Sequence, residues 1–190
     1  MERRSFLKKA GAGLAVGAVA MPAIAQNAPT IKWRLASSFP KSLDTIYGAA
    51  EIVAKRVAEA TGGKFQIQVF AGGEIVPPFG VLDAVKDGTV EMAHTASYYF
   101  VGKDPTFAFD GTIPFGMTSR QVDAWYRHGN GKKLISEFYA KSNIHTIPAG
   151  NTGTQMGGWF RKEIKTPADL QGLKMRIGGF AGQVIAKLGA

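Results

Sequence analysis

Between Ile31 and Ala93 the hydrophobic period changes from two to about 3.6 and back, twice, and this alternation restricts the fold more than any other feature. Ile31, Trp33 and Leu35 alternate with Lys32 and Arg34, which predicts a strand ending at Ala36-Ser37-Ser38. Ser42 is placed to cap a long helix whose apolar positions Ile46, Ala49, Val53 and Val57 hold helical spacing until Gly62-Gly63 stops it. Phe65, Ile67 and Val69 alternate again as a second strand. Gly72-Gly73 and Pro77-Pro78 bound the next turn, a helix follows from Val81 to Lys86, and Gly88 leads into a third strand at Thr89 to Ala93. The order βαβαβ predicts an α/β fold with a parallel, doubly wound sheet whose ligand edge is the carboxyl end of its strands.

That edge feeds Thr95 to Met117, a long run in which Tyr98, Tyr99, Phe100, Phe107, Phe109 and Phe115 stand between glycines and prolines. Such a loop serves a site or covers the sheet. Most of the phenylalanines are expected to cover. The Tyr98 and Tyr99 phenols can instead donate to a carboxylate while their rings exclude water, with core packing as the competing reading. Thr118 to Gln121 has the form of a capping box opening a helix through Tyr126, and Lys132 to Lys141 predicts another. Gly150 to Gly158 then holds four glycines in nine residues around Asn151 and Gln155, which suits a crossover between lobes with backbone close to a ligand. For Asn151, turn formation is the alternative.

Thr166-Pro-Ala-Asp-Leu-Gln-Gly172 predicts a short capped turn, with Pro167 at the first helical position and Asp169 favourable to the helix dipole. From Leu173 the residues alternate, so Leu173, Met175 and Ile177 are expected on one face of a strand and Lys174 and Arg176 on the other. The guanidinium of Arg176 offers a planar fork matched to a carboxylate, and a solvated strand face is the competing reading. A last helix is expected from Ala181 to Leu188.

The chain opens with Arg3, Arg4, Lys8 and Lys9, then an apolar run from Ala10 to Ala20, then the small-residue pattern Ala23-Ile-Ala25. Residues 1–25 thus read as a secretory signal peptide, too short in its apolar core for the roughly 20 residues that span a bilayer. The arginine pair before Ser5-Phe6-Leu7-Lys8 is of twin-arginine type, but Glu2 stands where Ser or Thr is usual, so the ordinary secretory route stays open. Removing these residues lowers the formal charge from +9 to +6. The remaining basic residues are scattered, without the aromatic-basic platform of a nucleic-acid surface, and favour an acidic ligand or simple solubility. The absence of cysteine excludes disulfides and thiolate metal sites, so stability must come from the core.

Several blocks resemble those of the receptors of TRAP (tripartite ATP-independent periplasmic) transporters: Trp33 to Ser37, Gly88 to Tyr99, Ile113 to Met117, Gly150 to Phe160 and Thr166 to Gly178. The likeness is nearest to the DctP-type receptors for 2-oxo acids and small carboxylates, with the tyrosine pair and Gln155 carrying that finer assignment. It implies a two-lobed periplasmic binding protein of type II-like fold. Residues 26–149 would form the first α/β lobe, and residues 150–190 the crossover and an incomplete second lobe. It further implies that Arg176 holds a carboxylate, that Gln155 lines the site and also ligates a bound cation such as sodium or calcium, and that Asn151, Tyr98 and Tyr99 complete the pocket. No other cofactor is implied. The partners would be the small carboxylate, membrane subunits of the transporter, and a second copy of the full-length form.

Two other functions remain open on the residues. A receptor presenting its ligand to a chemosensory protein would look the same. An exported enzyme acting on small acids could assemble from Asp44, Glu74, His94 and Arg176, although His94, His128 and His145 have no metal-ligand spacing and no nucleophile elbow or phosphate loop is present.

Overall fold

The computed structural model describes residues 29–111 and 113–190; the export-signal reading of residues 1–25 lies outside them. Three strands, β1 (Ile31–Ser37), β2 (Phe65–Phe70) and β3 (Met92–His94), form one sheet in the order β2-β1-β3. Both pairings are parallel, with Leu35 opposite Val69 on one side and Met92 on the other. Helices α1 (Asp44–Ala60) and α2 (Val81–Lys86) make the crossovers, as the alternating periods predict. Among the described residues no helix is long and apolar enough to cross a membrane.

The burial of β1 is graded along its length. Its first four residues are exposed, whereas Leu35, Ala36 and Ser37 are each 1% exposed, so the dry end of the sheet is its carboxyl edge. There Ala36 joins Val81, Leu82, Val90, Phe100, Phe107, Ile135 and Tyr139 in one cluster, while Phe39, Tyr47 and Ala71 form a second. Helices α3 (Ser119–His128) and α4 (Gly131–Ala140) close the first cluster from the side.

Four local expectations need correction. Helix α1 starts at Asp44 behind Leu43, not behind a Ser42 cap: Leu43 N–H is turned back to Pro40 C=O at 3.0 Å, and Asp44 Oδ1 accepts from Thr45 N–H. Its deepest residues are Tyr47 and Ala50, with Val53 40% exposed, so the buried stripe is rotated from the expected one. Strand β3 begins three residues late because the N–H groups of Thr89 and Val90 are already committed to Ala84 C=O, closing the end of α2. Residues 173–178 form no strand. They keep the predicted alternation, with Lys174 and Arg176 exposed and Leu173, Met175 and Ile177 half-buried, but no described strand pairs with them.

Other signals are realised closely. Gly62 and Gly63 take φ of 58° and 78° as α1 ends, a conformation that favours glycine. The Thr118–Gln121 capping box forms, with Thr118 N–H donating to Gln121 Oε1 at 2.8 Å. At Thr166 the Asp169 carboxylate accepts from the N–H groups of Lys165 and Thr166 and from the Thr166 hydroxyl. Helix α5 (Phe180–Lys187) follows, and Gly172 N–H donates to Gly189 C=O, which folds residues 166–190 back on themselves.

Candidate functional site

The site is built at the carboxyl edge of the sheet, where β3 runs directly into a 3₁₀ turn, Ser97–Phe100. Turns of this kind place consecutive side chains about 120° apart, so Phe100 points into the core while Tyr98 and Tyr99 are left half-buried. Tyr99 packs against both core clusters and meets the rings of Phe79, edge-on at 5.1 Å, and Phe39 at 6.2 Å. It is a core residue as well as a candidate site residue. Tyr98 crosses it edge-on at 4.9 Å and turns toward the later segment.

That segment meets Tyr98 through Gly178 and Arg176. A Cβ at Gly178 would lie 2.7 Å from Tyr98 Cε2, so the ring rests on a backbone that has no room for a side chain. Burial raises the pKa of the Tyr98 phenol, its neighbour Tyr99 adds to the shift, and the Arg176 guanidinium opposes it. Arg176 itself is exposed, and no carboxylate pairs with it among the described residues. A phenol beside a guanidinium fork that pairs with no carboxylate among the described residues suits a small carboxylate.

Of the residues singled out in the sequence, Tyr98, Tyr99 and Arg176 are therefore brought together. Asn151 and Gln155 are exposed and bond within their own loop: Asn151 Oδ1 accepts from Gly153 N–H at 3.1 Å, and Gln155 Nε2 donates to Thr152 Oγ1. The turn-forming reading of Asn151 is thus the one realised in this arrangement. The aromatic loop divides as well. Phe100 and Phe107 are buried, whereas Phe109 is 53% exposed and Phe115 lies wholly in solvent.

The enzyme alternative finds its groups engaged separately. Glu74 pairs with Lys41 at 2.6 Å and accepts from Ala71 N–H, and Asp44 serves the first turn of α1. His94 lies against Phe39, with Nδ1 3.4 Å from Ser37 Oγ, and burial lowers its pKa. Among the described residues no group of three His, Cys, Asp or Glu side chains could hold a metal ion. Gln155 can offer one amide oxygen, and a bound carboxylate would supply others.

Residues not singled out as site residues also line this edge. Ser38 Oγ donates to Pro78 C=O at 2.6 Å and lies 2.7 Å from Thr95 Oγ1, tying the β1 and β3 ends to the turn before α2. Their only signal in the sequence is position, immediately after a predicted parallel strand.

The protein-family model described as "Bacterial extracellular solute-binding protein, family 7" matches residues 36–190. A monocarboxylate 2-oxoacid-binding periplasmic protein of Nostoc sp. is 49% identical over the whole chain, which covers 53% of that relative. Among solved structures, a TRAP transporter solute-binding protein of Bordetella bronchiseptica, a dimer with copurified calcium and picolinate, is 51% identical with a TM-score of 0.81. The alignment covers 85% of this chain and 48% of that one. A periplasmic TRAP solute-binding protein of Pseudoalteromonas atlantica with bound sodium and pyruvate is 46% identical, with a TM-score of 0.80 over 85% of this chain and 49% of the other. The chain spans about half the length of these relatives. With its parallel sheet and a family match over most of its length, the chain belongs to the DctP family, family 7 of the bacterial extracellular solute-binding proteins.

Proposed function

We propose that this protein is a periplasmic receptor that binds a small organic monocarboxylate of the 2-oxo acid type and delivers it to the membrane subunits of a TRAP transporter. The observation that carries the reading is Arg176, exposed without a carboxylate partner among the described residues and set beside the Tyr98 phenol. The ligands of the relatives sharpen it. Pyruvate and picolinate share one chemical feature, a carboxylate adjacent to a second donor, the 2-oxo oxygen or the ring nitrogen, and both donors can chelate one cation. In this reading Arg176 takes the carboxylate, Tyr98 and Tyr99 wall the pocket, and Asn151 and Gln155 swing from their loop to the ligand, with the Gln155 amide oxygen on a sodium or calcium ion.

The lobes divide at about residue 150 in this proposal, and residues 1–25 export the chain. The work is binding without chemistry, which the separate engagement of Asp44, Glu74 and His94 supports. A second copy of the full-length protein is a further proposed partner, as in the Bordetella bronchiseptica dimer. Calorimetric titration of the full-length protein with pyruvate, with and without added sodium or calcium, tests the reading. Stoichiometric, cation-dependent binding with pyruvate recovered unchanged is expected. Absence of binding to 2-oxo acids, or consumption of the pyruvate, overturns it.

A further inference from the structure

Beside the tyrosine pair stands an aromatic ring to which neither the core nor the proposed binding gives a task. Phe79 is 64% exposed, although the backbone is held on both sides of it. Ahead of it, Ser38 Oγ donates to the Pro78 carbonyl at 2.6 Å and lies 2.7 Å from Thr95 Oγ1, which ties the turn to the ends of β1 and β3. Gly72 packs against the same place, since a Cβ there would lie 2.9 Å from the Ser38 carbonyl oxygen and 3.3 Å from Pro78 Cγ. Behind it, Gly80 N–H donates to Pro77 C=O at 2.8 Å, and the buried Val81 opens α2. The ring is thus presented to water from a fixed turn. A single exposed apolar ring is ordinary, so its neighbours decide what it does.

Those neighbours are the candidate site tyrosines. Tyr99 meets Phe79 edge-on at 5.1 Å and Tyr98 edge-on at 4.9 Å, and the two outer rings do not pair with each other among the described residues. Tyr99 therefore stands between them. The segment that carries Arg176 touches this row at its Tyr98 end, where Gly178 has no room for a side chain. The two ends differ in chemistry: a phenol and the guanidinium segment at one, a hydrocarbon ring without a polar atom at the other. A ligand whose carboxylate sits at the Arg176 end extends along Tyr99 toward Phe79. Pyruvate, whose methyl is two bonds from its carboxylate carbon, ends short of a ring two spacings away. A longer apolar tail reaches that ring, whereas a second carboxylate would be desolvated against it without a partner.

We infer that Phe79 is a specificity-determining residue: its ring forms the far wall of the pocket, accepts the apolar tail of a longer 2-oxo monocarboxylate and turns away a dicarboxylate. The inference rests on the proposed binding role of Arg176 and the two tyrosines. It adds the residue that reads the ligand at the end away from its carboxylate.

Calorimetric titration of the full-length protein with pyruvate, 2-oxohexanoate and 2-oxoglutarate tests it, on wild type, Phe79→Ala and Phe79→Arg. The quantity read is a ratio of affinities, because a general disturbance of the site weakens all three acids together. In Phe79→Ala, affinity for 2-oxohexanoate relative to pyruvate is expected to fall about tenfold, through loss of the apolar wall. In Phe79→Arg, 2-oxoglutarate is expected to gain about tenfold relative to 2-oxohexanoate, because its second carboxylate then meets a cation. An unchanged ratio in either variant would overturn the inference, and so would a wild type that binds pyruvate but not 2-oxohexanoate. Should Phe79→Ala fail to fold, Phe79→Leu is read against the same ratio, with a smaller fall expected and no change overturning the inference. If wild type binds none of the three acids, the binding proposal falls and the inference with it. If wild type binds and the ratios hold, the inference alone falls.

Discussion

Strand β1 and the run Leu173–Ile177 show the same alternation of apolar and polar side chains, yet they reach different structural states. Strand β1 lies between two parallel partners, and its Leu35 is 1% exposed. The later run has no ladder, and its apolar side chains are only half-buried. All the buried residues among those described lie at or before Tyr139. Alternation therefore specifies which side chains share a face, while a partner on each edge decides whether the backbone is locked. The candidate site straddles this difference, with Tyr98 and Tyr99 on the locked part and Arg176 on the other.

The largest expected effect separates the two regions by stability. Leu35→Ala removes a fully enclosed side chain from the central strand and should cost about 2–5 kcal/mol. Trp159→Ala changes a side chain that is 89% exposed and should stay within about 0.5 kcal/mol. Denaturant unfolding of both variants checks this. Comparable losses would mean that residues 150–190 are packed as firmly as the sheet.

A second difference concerns single amides. Strand β1 is paired on both sides at Leu35 and Ala36, whereas the N–H groups of residues 174–177 have no hydrogen-bond partner among the described residues. Hydrogen exchange should therefore be slowest around Leu35 and near the unfolded rate from Lys174 to Ile177. Pyruvate should slow the second group more than the first if Arg176 holds the ligand. Uniform protection in the free protein would erase the contrast.

The third expectation tests the exposed half of the site directly. Arg176→Lys keeps a charge but loses the paired donors, and a charge-assisted hydrogen bond contributes about 1.5–3 kcal/mol. Pyruvate binding should weaken by about tenfold or more, read by calorimetry, with unfolding nearly unchanged. An unchanged affinity would return Arg176 to a solvated face.

How much of this was legible in the sequence follows from the range of each interaction. Helix α2 and the first two strands were read within a residue or so because period and glycine stops are local. The start of β3 was not, since the use of Thr89 and Val90 N–H groups at the end of α2 depends on how that helix closes. The 173–177 strand failed for a related reason: its alternation is local but its partners are not. In the site, Tyr98 and Arg176 were each visible as chemistry, and their meeting over Gly178 was not.

The smallest expected effect lies within the locked region. Arg34 of β1 donates through Nη2 to Glu91 Oε1 at 2.7 Å and through Nε to Oε2 at 3.1 Å, and its backbone N–H reaches Oε2 at 2.7 Å. Glu91 stands just ahead of the short β3, so this pair extends the β1–β3 contact beyond the ladder. The side-chain and backbone hydrogen bonds from Arg34 hold the Glu91 carboxyl down at about 2, below its ordinary 4.5. A carboxyl whose pKa is lower in the folded than in the unfolded state stabilises the fold above the unfolded value. That contribution is lost as pH falls through the folded value. Wild type should thus exceed Glu91→Gln in stability at every pH above about 4.5, and the gap should close as pH approaches 2. Both side chains are partly exposed, so the gap is small and should shrink with added salt. Urea unfolding of the two proteins across this range decides it. A gap that is absent at neutral pH and low salt, or that persists unchanged down to pH 2, would show that the β1–β3 register is held by its ladder and core alone.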